Sequence, residues 1–307
     1  MTDSLNSSHP GMTESQWLSK AICVAVIQIA KEAGAAIMGV YERGEQGVAE
    51  NTSVKDDNSP LTEADLAAHH VIVDGLMAQT PEIAVVSEED SDSLVHRLPE
   101  GVFWLIDPLD GTKEFIARNG EFTVNIALVV NGEPVWGVVH APALNQTYWG
   151  GLGLGACKQE GSTAPLSLAV GERSVLLKEN PLQGTQAPIR VVASKSHLNE
   201  STEAFIKELG IVELVQAGSS LKFCKVADGG ADIYPRLAPT CEWDTAAAQA
   251  VVEGAGGHVF DTEGNRLQYG KPELLNPFFI AAACKYTELQ EIRESRSAGT
   301  PSQSAKG

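Results

Sequence analysis

The chain has 307 residues, 43% of them apolar, and 22 Lys and Arg against 40 Asp and Glu give it a formal charge of −18. That balance excludes a general nucleic-acid binder, because affinity for a phosphate backbone needs a surplus of basic side chains. A small anionic ligand is not excluded, since divalent cations can sit between it and an acidic surface.

At this length, one large domain or two ordinary ones can bury a core without disulfides or structural metals. Residues 1–15 are polar, with neither a basic n-region nor an apolar h-region, and are read as a flexible tail with no secretory signal. No run of about 18 or more apolar residues occurs, so no transmembrane segment is expected. The five cysteines, Cys23, Cys157, Cys224, Cys241 and Cys284, are scattered and form no CxxC. They read as reduced thiols of a cytoplasmic protein, neither a disulfide frame nor a zinc site.

Ile22, Val26, Ile29, Ala33, Ile37 and Val40 recur at helical spacing and predict an amphipathic helix ending near Gly44. A polar loop over 45–60 leads to a second helix, 61–79, and a short strand, 83–87. An apolar strand at 103–106 runs straight into Asp107-Pro108-Leu109-Asp110-Gly111-Thr112. Strands at 122–130 and 134–141 follow, joined by a turn at Asn131-Gly132. The stretch 150–188 is rich in Gly and Pro and is taken to contain a domain border. Beyond it come a strand at 189–193, a helix at 199–209, a strand at 211–215, a helix at 220–229 and a strand at 232–235. A last helix, 243–255, follows the Glu242-Trp243-Asp244 turn. This alternation predicts an α/β half built on a partly parallel sheet. From about Glu294 the chain loses any core pattern.

Carboxylates gather where the backbone is expected to turn: Glu88-Glu89-Asp90 after one strand, Asp107 and Asp110 after the next, and Asp65 and Asp244 at helix starts. Carboxylates at strand ends around one crevice are the oxygen ligands that Mg²⁺ prefers. Pro108 would fix a turn so that Asp107 and Asp110 converge, with the Leu109 carbonyl between them. Gly111 lets backbone approach an anion closely, and Gly111 and Thr112 would offer N–H groups at a helix N-terminus. Each has a plainer reading on its own. A Glu-Glu pair is commonly a solvated charge pair, and Asp-x-x-Asp, Asp65 and Asp244 are each compatible with a helix cap or turn. His69 and His70 are adjacent on a helix, face different ways and make a poor metal pair. Cys241 reads as a buried thiol. Gly150-Gly-Leu-Gly-Leu-Gly155 reads as a glycine turn between strands, since no βαβ unit surrounds it.

Taken together, the motifs resemble a known family. Asp107-Pro-Leu-Asp-Gly-Thr-Lys-Glu-Phe115, Trp243-Asp244-x-Ala-Ala and Gly254-Ala-Gly-Gly257 resemble the lithium-sensitive, Mg²⁺-dependent phosphatase superfamily of inositol monophosphatase. Lys55-x-Asp-Asn58-Ser-Pro-Leu-Thr-x-Ala-Asp65, Ser87-Glu-Glu-Asp90, the stretch from Arg118 to Ala127 and Gly218-Ser-Ser-Leu-Lys-Phe-Cys224 are similar to its bacterial 3′(2′),5′-bisphosphate nucleotidase branch. The likeness runs from about Gln28 to Phe279 and leaves out 1–15, 178–188 and the C-terminal tail.

The resemblance implies an α/β (α+β) fold, a layered αβαβα sandwich of two subdomains with the metal site between them. A metal-binding α+β subdomain would occupy 16–165 and a substrate-binding α/β subdomain 166–285, with a terminal helix end and flexible tail at 286–307. It implies a first Mg²⁺ on Glu88, Asp107 and the Leu109 carbonyl, and a second on Asp107, Asp110 and Asp244. Relatives suggest a third, weaker one near Glu88 and Asp65. Asp65, Thr112 and Glu88 would be catalytic, with Thr112 hydrogen-bonded to Asp65 and helping to deprotonate the attacking water. The substrate would be held by Glu88, Leu109, Asp110, Gly111, Thr112, His197, Ser219, Lys222, Arg236 and Asp244.

Arg236 stands about where inositol-specific relatives carry a Glu, and Lys113-Glu114 stands where they commonly have Thr-x-Asn. Both features imply a nucleotide bisphosphate substrate: hydrolysis of adenosine 3′,5′-bisphosphate to AMP, and of its sulfated analogue 3′-phosphoadenylyl sulfate, in sulfur metabolism. The alternatives are an inositol monophosphatase or broad sugar phosphatase, and, in another class, a non-catalytic sensor of nucleotide and Mg²⁺. His197 also reads as a helix-start residue, Lys222 as a solvated helix charge, and Lys113-Glu114 as an exposed pair. The protein is expected in the cytoplasm, as monomer or dimer, without a nucleic-acid partner. Some relatives are assigned to the cytoplasmic face of the inner membrane, so peripheral association there is carried as an expectation, as is lithium inhibition.

Overall fold

The computed structural model describes residues 17–43, 53–54, 60–61, 63–170, 188–193 and 199–297. Two sheets and three helical layers alternate, in the αβαβα order that the resemblance implies. The outer layer is α1 (Lys20–Tyr41) against α2 (Glu63–Gln79). Ser19 caps α1, its Oγ accepting from the Ile22 N–H at 3.2 Å. By length and composition α1 could cross a membrane. Here its Val26, Ile29, Ala33 and Ile37 stripe is buried with Ile72 and Leu76 of α2 and with Trp104, Ile126 and Val138 of the sheet beneath.

That sheet has seven strands in sequence order: β3 (Ala84–Ser87), β4 (Val102–Asp110), β5 (Thr123–Val130), β6 (Glu133–Ala141), β7 (Gln146–Gly151), β8 (Gly155–Glu160) and β9 (Leu166–Leu168). The β3–β4 pair is parallel and the others are antiparallel. A separate hairpin pairs β1 (Ser53–Val54) with β2 (Pro60–Leu61). Because side chains alternate across a strand, Trp104 and Ile106 of β4 face the outer helices, whereas Phe103 and Leu105 face a middle helical layer. Asn131 and Gly132 both have positive φ, 50° and 78°, as the tight β5–β6 hairpin requires. The glycine run at 150–155 is a turn between β7 and β8, with Gly151 paired to Gly155.

The middle layer holds α5 (Leu221–Ala227) and α6 (Ala246–Gly254), and α6 lies on β5 to β8. Its alanines permit close approach. At Gly137 a Cβ would come within 2.5 Å of the Ala247 carbonyl oxygen, so β6 has no room for a side chain there. The second sheet has the order β11 (Val212–Gln216), β10 (Ile189–Ala193), β12 (Ile233–Arg236), β14 (Phe279–Ala282), β13 (His258–Asp261). Both neighbours of β10 run parallel to it, and β14 is antiparallel to both of its own. Tyr234, Phe279 and Ala281 face the middle layer, while Ile233 and Ile280 face the last helices, α4 (Glu200–Glu208) and α7 (Tyr286–Ser297).

Three sequence readings need correction. The helix foreseen over 243–255 is a 3₁₀ turn, Glu242–Asp244, and then α6; the chain breaks at Thr245, where φ is −121°. Pro108 makes no turn but lies within β4. The chain does not become a tail at Glu294, because α7 continues to Ser297 and buries Leu289, Ile292 and Arg296. Only a few apolar positions mark that helix, too sparse a stripe to read in advance.

Candidate active site

The acidic cluster begins with a β-bulge. Residues three apart on a regular strand point to opposite faces, which would separate Asp107 from Asp110. On β4, however, Asp107 pairs with Asn125 while Asp110 pairs with Thr123, so β4 carries one residue more than β5 between these pairs. The extra residue, accommodated at Pro108 and Leu109, returns Asp110 to the face of Asp107. Proline is tolerated at such a bulge because the ladder there needs no N–H. The Leu109 N–H donates to Asp107 Oδ1 at 3.1 Å, fixing that carboxylate from its own loop.

Asp244 reaches the same point from the 3₁₀ turn before α6, its Oδ2 held at 2.8 Å by the Cys241 N–H. One carboxylate oxygen each from Asp107, Asp110 and Asp244 lie within 4.8 Å of one another. Burial first, then the charges of Glu88, Asp110, Asp244 and Asp65, hold the Asp107 carboxyl well above the usual carboxylate range. Burial and the charges of Asp110 and Glu88 do the same to Asp244, and the Cys241 N–H and Arg236 oppose them. Hard oxygens gathered against their own repulsion fit a divalent cation. Asp107, Asp110 and Asp244 would hold it.

Glu88 follows β3 and acts on both Asp107 and Asp244 through its charge. Its turn is braced by Ser87, whose Oγ meets His69 Nδ1 at 2.8 Å and accepts from the Glu89 N–H at 3.2 Å. Asp65 lies in the first turn of α2, 1% exposed, and its charge also acts on Asp107. Thr112 opens the short helix α3 (Thr112–Ile116). Its hydroxyl lies 3.5 Å from the Leu109 carbonyl, three residues back, where the resemblance implies Asp65 as its partner. Gly111, the residue before α3, has φ +90°, and a Cβ there would meet Ser219 and Glu114 at 3.2 and 3.1 Å. The position requires glycine for both conformation and space.

Beside the cluster is a pocket lined by Asp110, Ser219, Ser220, Lys222, Tyr234, Arg236, Asp244 and neighbours. Lys222 is not a solvated helix charge. Its Nζ lies 5.8 Å from the centre of the Tyr234 ring. Burial lowers its pKa, with Arg236 adding to the effect and Asp110, Glu114 and Asp244 opposing it. Arg236 extends from the end of β12 and donates to the Pro239 carbonyl at 3.2 Å. His197 lies outside the described residues, as do Lys55 and Asn58.

The sequence reading named Ser219 as a substrate contact and missed Ser220, Thr123 and Asn125. Ser219 turns its hydroxyl to Asp110 Oδ2 at 2.5 Å. Ser220 donates to the same oxygen at 3.0 Å, and Thr123 and Asn125 stand behind the two serines at 2.6 and 2.9 Å. Glu114 is half-buried against the 218–219 segment rather than part of an exposed pair with Lys113. The serines lie more than 100 positions from Asp110, so the motif Gly218-Ser-Ser-Leu-Lys-Phe-Cys224 marks them without showing which carboxylate they serve.

Comparison with known proteins shows the family. Residues 17–297 match the model of the inositol monophosphatase family. The chain is 46% identical over 255 residues, 83% of its length and 96% of the other's, to the 3′(2′),5′-bisphosphate nucleotidase CysQ of Escherichia coli K12. The crystal structure of CysQ from Bacteroides thetaiotaomicron, a bacterial member of the inositol monophosphatase family, superposes with a TM-score of 0.70 at 40% identity, covering 88% of this chain and all of that one. SuhB from Bartonella henselae shares the fold, with a TM-score of 0.67 at 22% identity over 92% of this chain and all of its own.

Proposed function

The chain belongs to the inositol monophosphatase family, and we propose that it acts there as a 3′(2′),5′-bisphosphate nucleotidase, releasing the 3′-phosphate of adenosine 3′,5′-bisphosphate to leave AMP. The observation that carries this reading is the meeting of the cluster carboxylates Asp110 and Asp244 with Lys222 and Arg236 in one pocket. An inositol monophosphate presents one phosphate and a ring of hydroxyls, which call for acceptors. Two cations beside the cluster suit a substrate with a second phosphate, and the Arg236 fork can bind it in two-pronged fashion. The sulfated analogue, 3′-phosphoadenylyl sulfate, carries the same 3′-phosphate and is proposed as a second substrate.

Asp107, Asp110 and Asp244, with Glu88 and the Leu109 carbonyl as further ligands, would hold Mg²⁺, which would supply Lewis-acid stabilisation of charge on the phosphoryl and leaving oxygens. We propose two such ions and a weaker third near Glu88 and Asp65. Thr112 Oγ1 orients the attacking water and Asp65 takes up its proton, while the leaving 3′-oxygen is protonated from solvent. Lys222 and Arg236 bind the phosphate that is not cleaved, which sets the scissile one against the carboxylates. Partial burial of the cleft strengthens each of these contacts. A cytoplasmic setting is supported by the five cysteines, all free.

The test is phosphate release from adenosine 3′,5′-bisphosphate and from inositol 1-phosphate, side by side, with Mg²⁺ and with EDTA. A Mg²⁺-dependent preference for the nucleotide is expected. Preference for inositol 1-phosphate would overturn the substrate assignment and leave the carboxylate site standing, and release from neither would overturn the enzymatic reading. Arg236→Ala is expected to raise KM for the nucleotide roughly 10-fold or more with little change in kcat, the scale of one lost hydrogen bond to a charged group. Steady-state kinetics of the variant check this; an unchanged KM would remove Arg236 from the binding set.

A further inference from the structure

Asp110 differs from its two partners in how it is held. Its Oδ2 accepts from Ser219 at 2.5 Å and from Ser220 at 3.0 Å. Each serine is in turn met by a side chain of β5. Thr123 Oγ1 lies 2.6 Å from Ser219 Oγ, and the Asn125 amide donates to Ser220 Oγ at 2.9 Å. Because Ser219 donates to Asp110, Thr123 donates to Ser219, and its one proton is shared with Asn125 Oδ1 at 3.1 Å. Asn125 donates to Ser220 and Ser220 to Asp110. Two relays, each rooted in β5, thus end on one carboxylate oxygen. Among the described residues no hydrogen bond reaches Oδ1.

The relays are built into the interior. Thr123 and Ser220 are 0% and 1% exposed, Asn125 is 1% exposed and Ser219 7%. Ser219 adopts φ +48°, a left-handed conformation unusual for serine, at the point where its hydroxyl meets Asp110. Ser220 also lies 3.0 Å from the Asp244 carbonyl, so its single proton is shared between segments that carry two of the clustered carboxylates.

We infer that Ser220 and Asn125, together with Ser219 and Thr123, are positioning residues that fix the Asp110 carboxylate as a one-oxygen ligand and hold it in register with Asp244. The inference rests on the divalent-cation reading of the cluster. Outer hydrogen bonds of this kind set ligand orientation and affinity.

The test uses the full chain with Ser220→Ala and Thr123→Val, one for each relay, and Ser220→Thr as the conservative replacement. Mn²⁺ binding is measured by calorimetry and electron paramagnetic resonance without substrate, alongside kcat and KM for the nucleotide at saturating Mg²⁺. Circular dichroism verifies folding. Both relay variants are expected to bind Mn²⁺ roughly 10- to 100-fold more weakly, and Ser220→Thr to restore binding. Wild-type Mn²⁺ affinity in either folded relay variant would overturn the relay that it interrupts, and in both would overturn the inference. Failure of the wild-type chain itself to bind Mn²⁺ would overturn instead the reading on which the inference rests.

Discussion

Asp107→Asn is expected to abolish turnover while making the cation-free protein more stable, two effects that only an electrostatic role combines. Asparagine keeps the size of the side chain, and its Oδ1 can still accept from the Leu109 N–H, but the charge is gone. Removal of one preorganised electrostatic group costs on the order of 10²–10³ in rate, and a ligand central to the cluster belongs at the upper end. The stability effect follows from the raised pKa of Asp107. The folded state holds this proton more tightly than the unfolded chain does, so cation-free stability falls as pH rises from about the ordinary value of 3.8 through the raised one. In Asp107→Asn that decline is lessened, and at neutral pH the variant in EDTA melts above the wild type. Mg²⁺ raises the wild-type melting temperature, by about 2.7 kcal/mol of stability at 100 times its dissociation constant, and raises the variant's less. Thermal melts across pH, with Mg²⁺ and with EDTA, check both halves. A variant that melts below wild type in EDTA would mean that Asp107 is chiefly a packing residue.

The second large effect is on folding. Glu242→Ala is expected to destabilise the protein by about 3–5 kcal/mol, the cost of breaking a buried ion pair from one side. Glu242 is fully buried, and Arg97 Nη1 meets its Oε2 at 3.0 Å and Lys271 Nζ its Oε1 at 2.5 Å. The backbone N–H groups of Gly270 and Lys271 also donate to it, at 2.9 and 3.2 Å. Alanine would leave a mostly buried guanidinium without its anion and two loops without their anchor. For a chain of this size that corresponds to a fall in melting temperature of about 5–8 °C. Glu242→Gln, which preserves shape and some hydrogen bonds, should fall between. Because Glu242 opens the turn that ends at Asp244, activity measured well below the melt should fall as well. A melt within about 2 °C of wild type would show that the neighbouring loops rearrange to satisfy Arg97 unaided.

The residues that bear charge were legible in the sequence, and the means of bringing them together were not. Asp107, Asp110 and Asp244 could be picked out because their chemical type and their place in motifs resembling a known family mark them, although the turn expected at Pro108 is strand. The bulge that puts the first two on one face could not, because register is a relation between two strands and only the pairing with Asn125 and Thr123 reveals it. Ser220 was passed over for a similar reason. Its partners Asp110 and Asn125 are 110 and 95 positions away. In the fold, the long amphipathic helix, the hairpin at Asn131-Gly132 and the parallel pairing in the second half were readable from periodicity and turn chemistry. Phe279–Ala282 is an apolar run too short for its period to separate strand from helix, and β8 and β9 are short and partly exposed.

Asp107 and Asp110 belong to the seven-stranded sheet, Asp244 and Lys222 to the helical layer between the sheets, and Arg236 to the five-stranded sheet. The groups proposed to cut and the group proposed to choose what is cut are therefore anchored in separate parts of the architecture. If Arg236 chooses the substrate as proposed, a new side chain at the end of β12 would redirect the enzyme to another phosphate ester while the bulge on β4 keeps its shape. Such a division lets lineages exchange one substrate for another without reinventing hydrolysis, so one scaffold can diversify by editing its far wall.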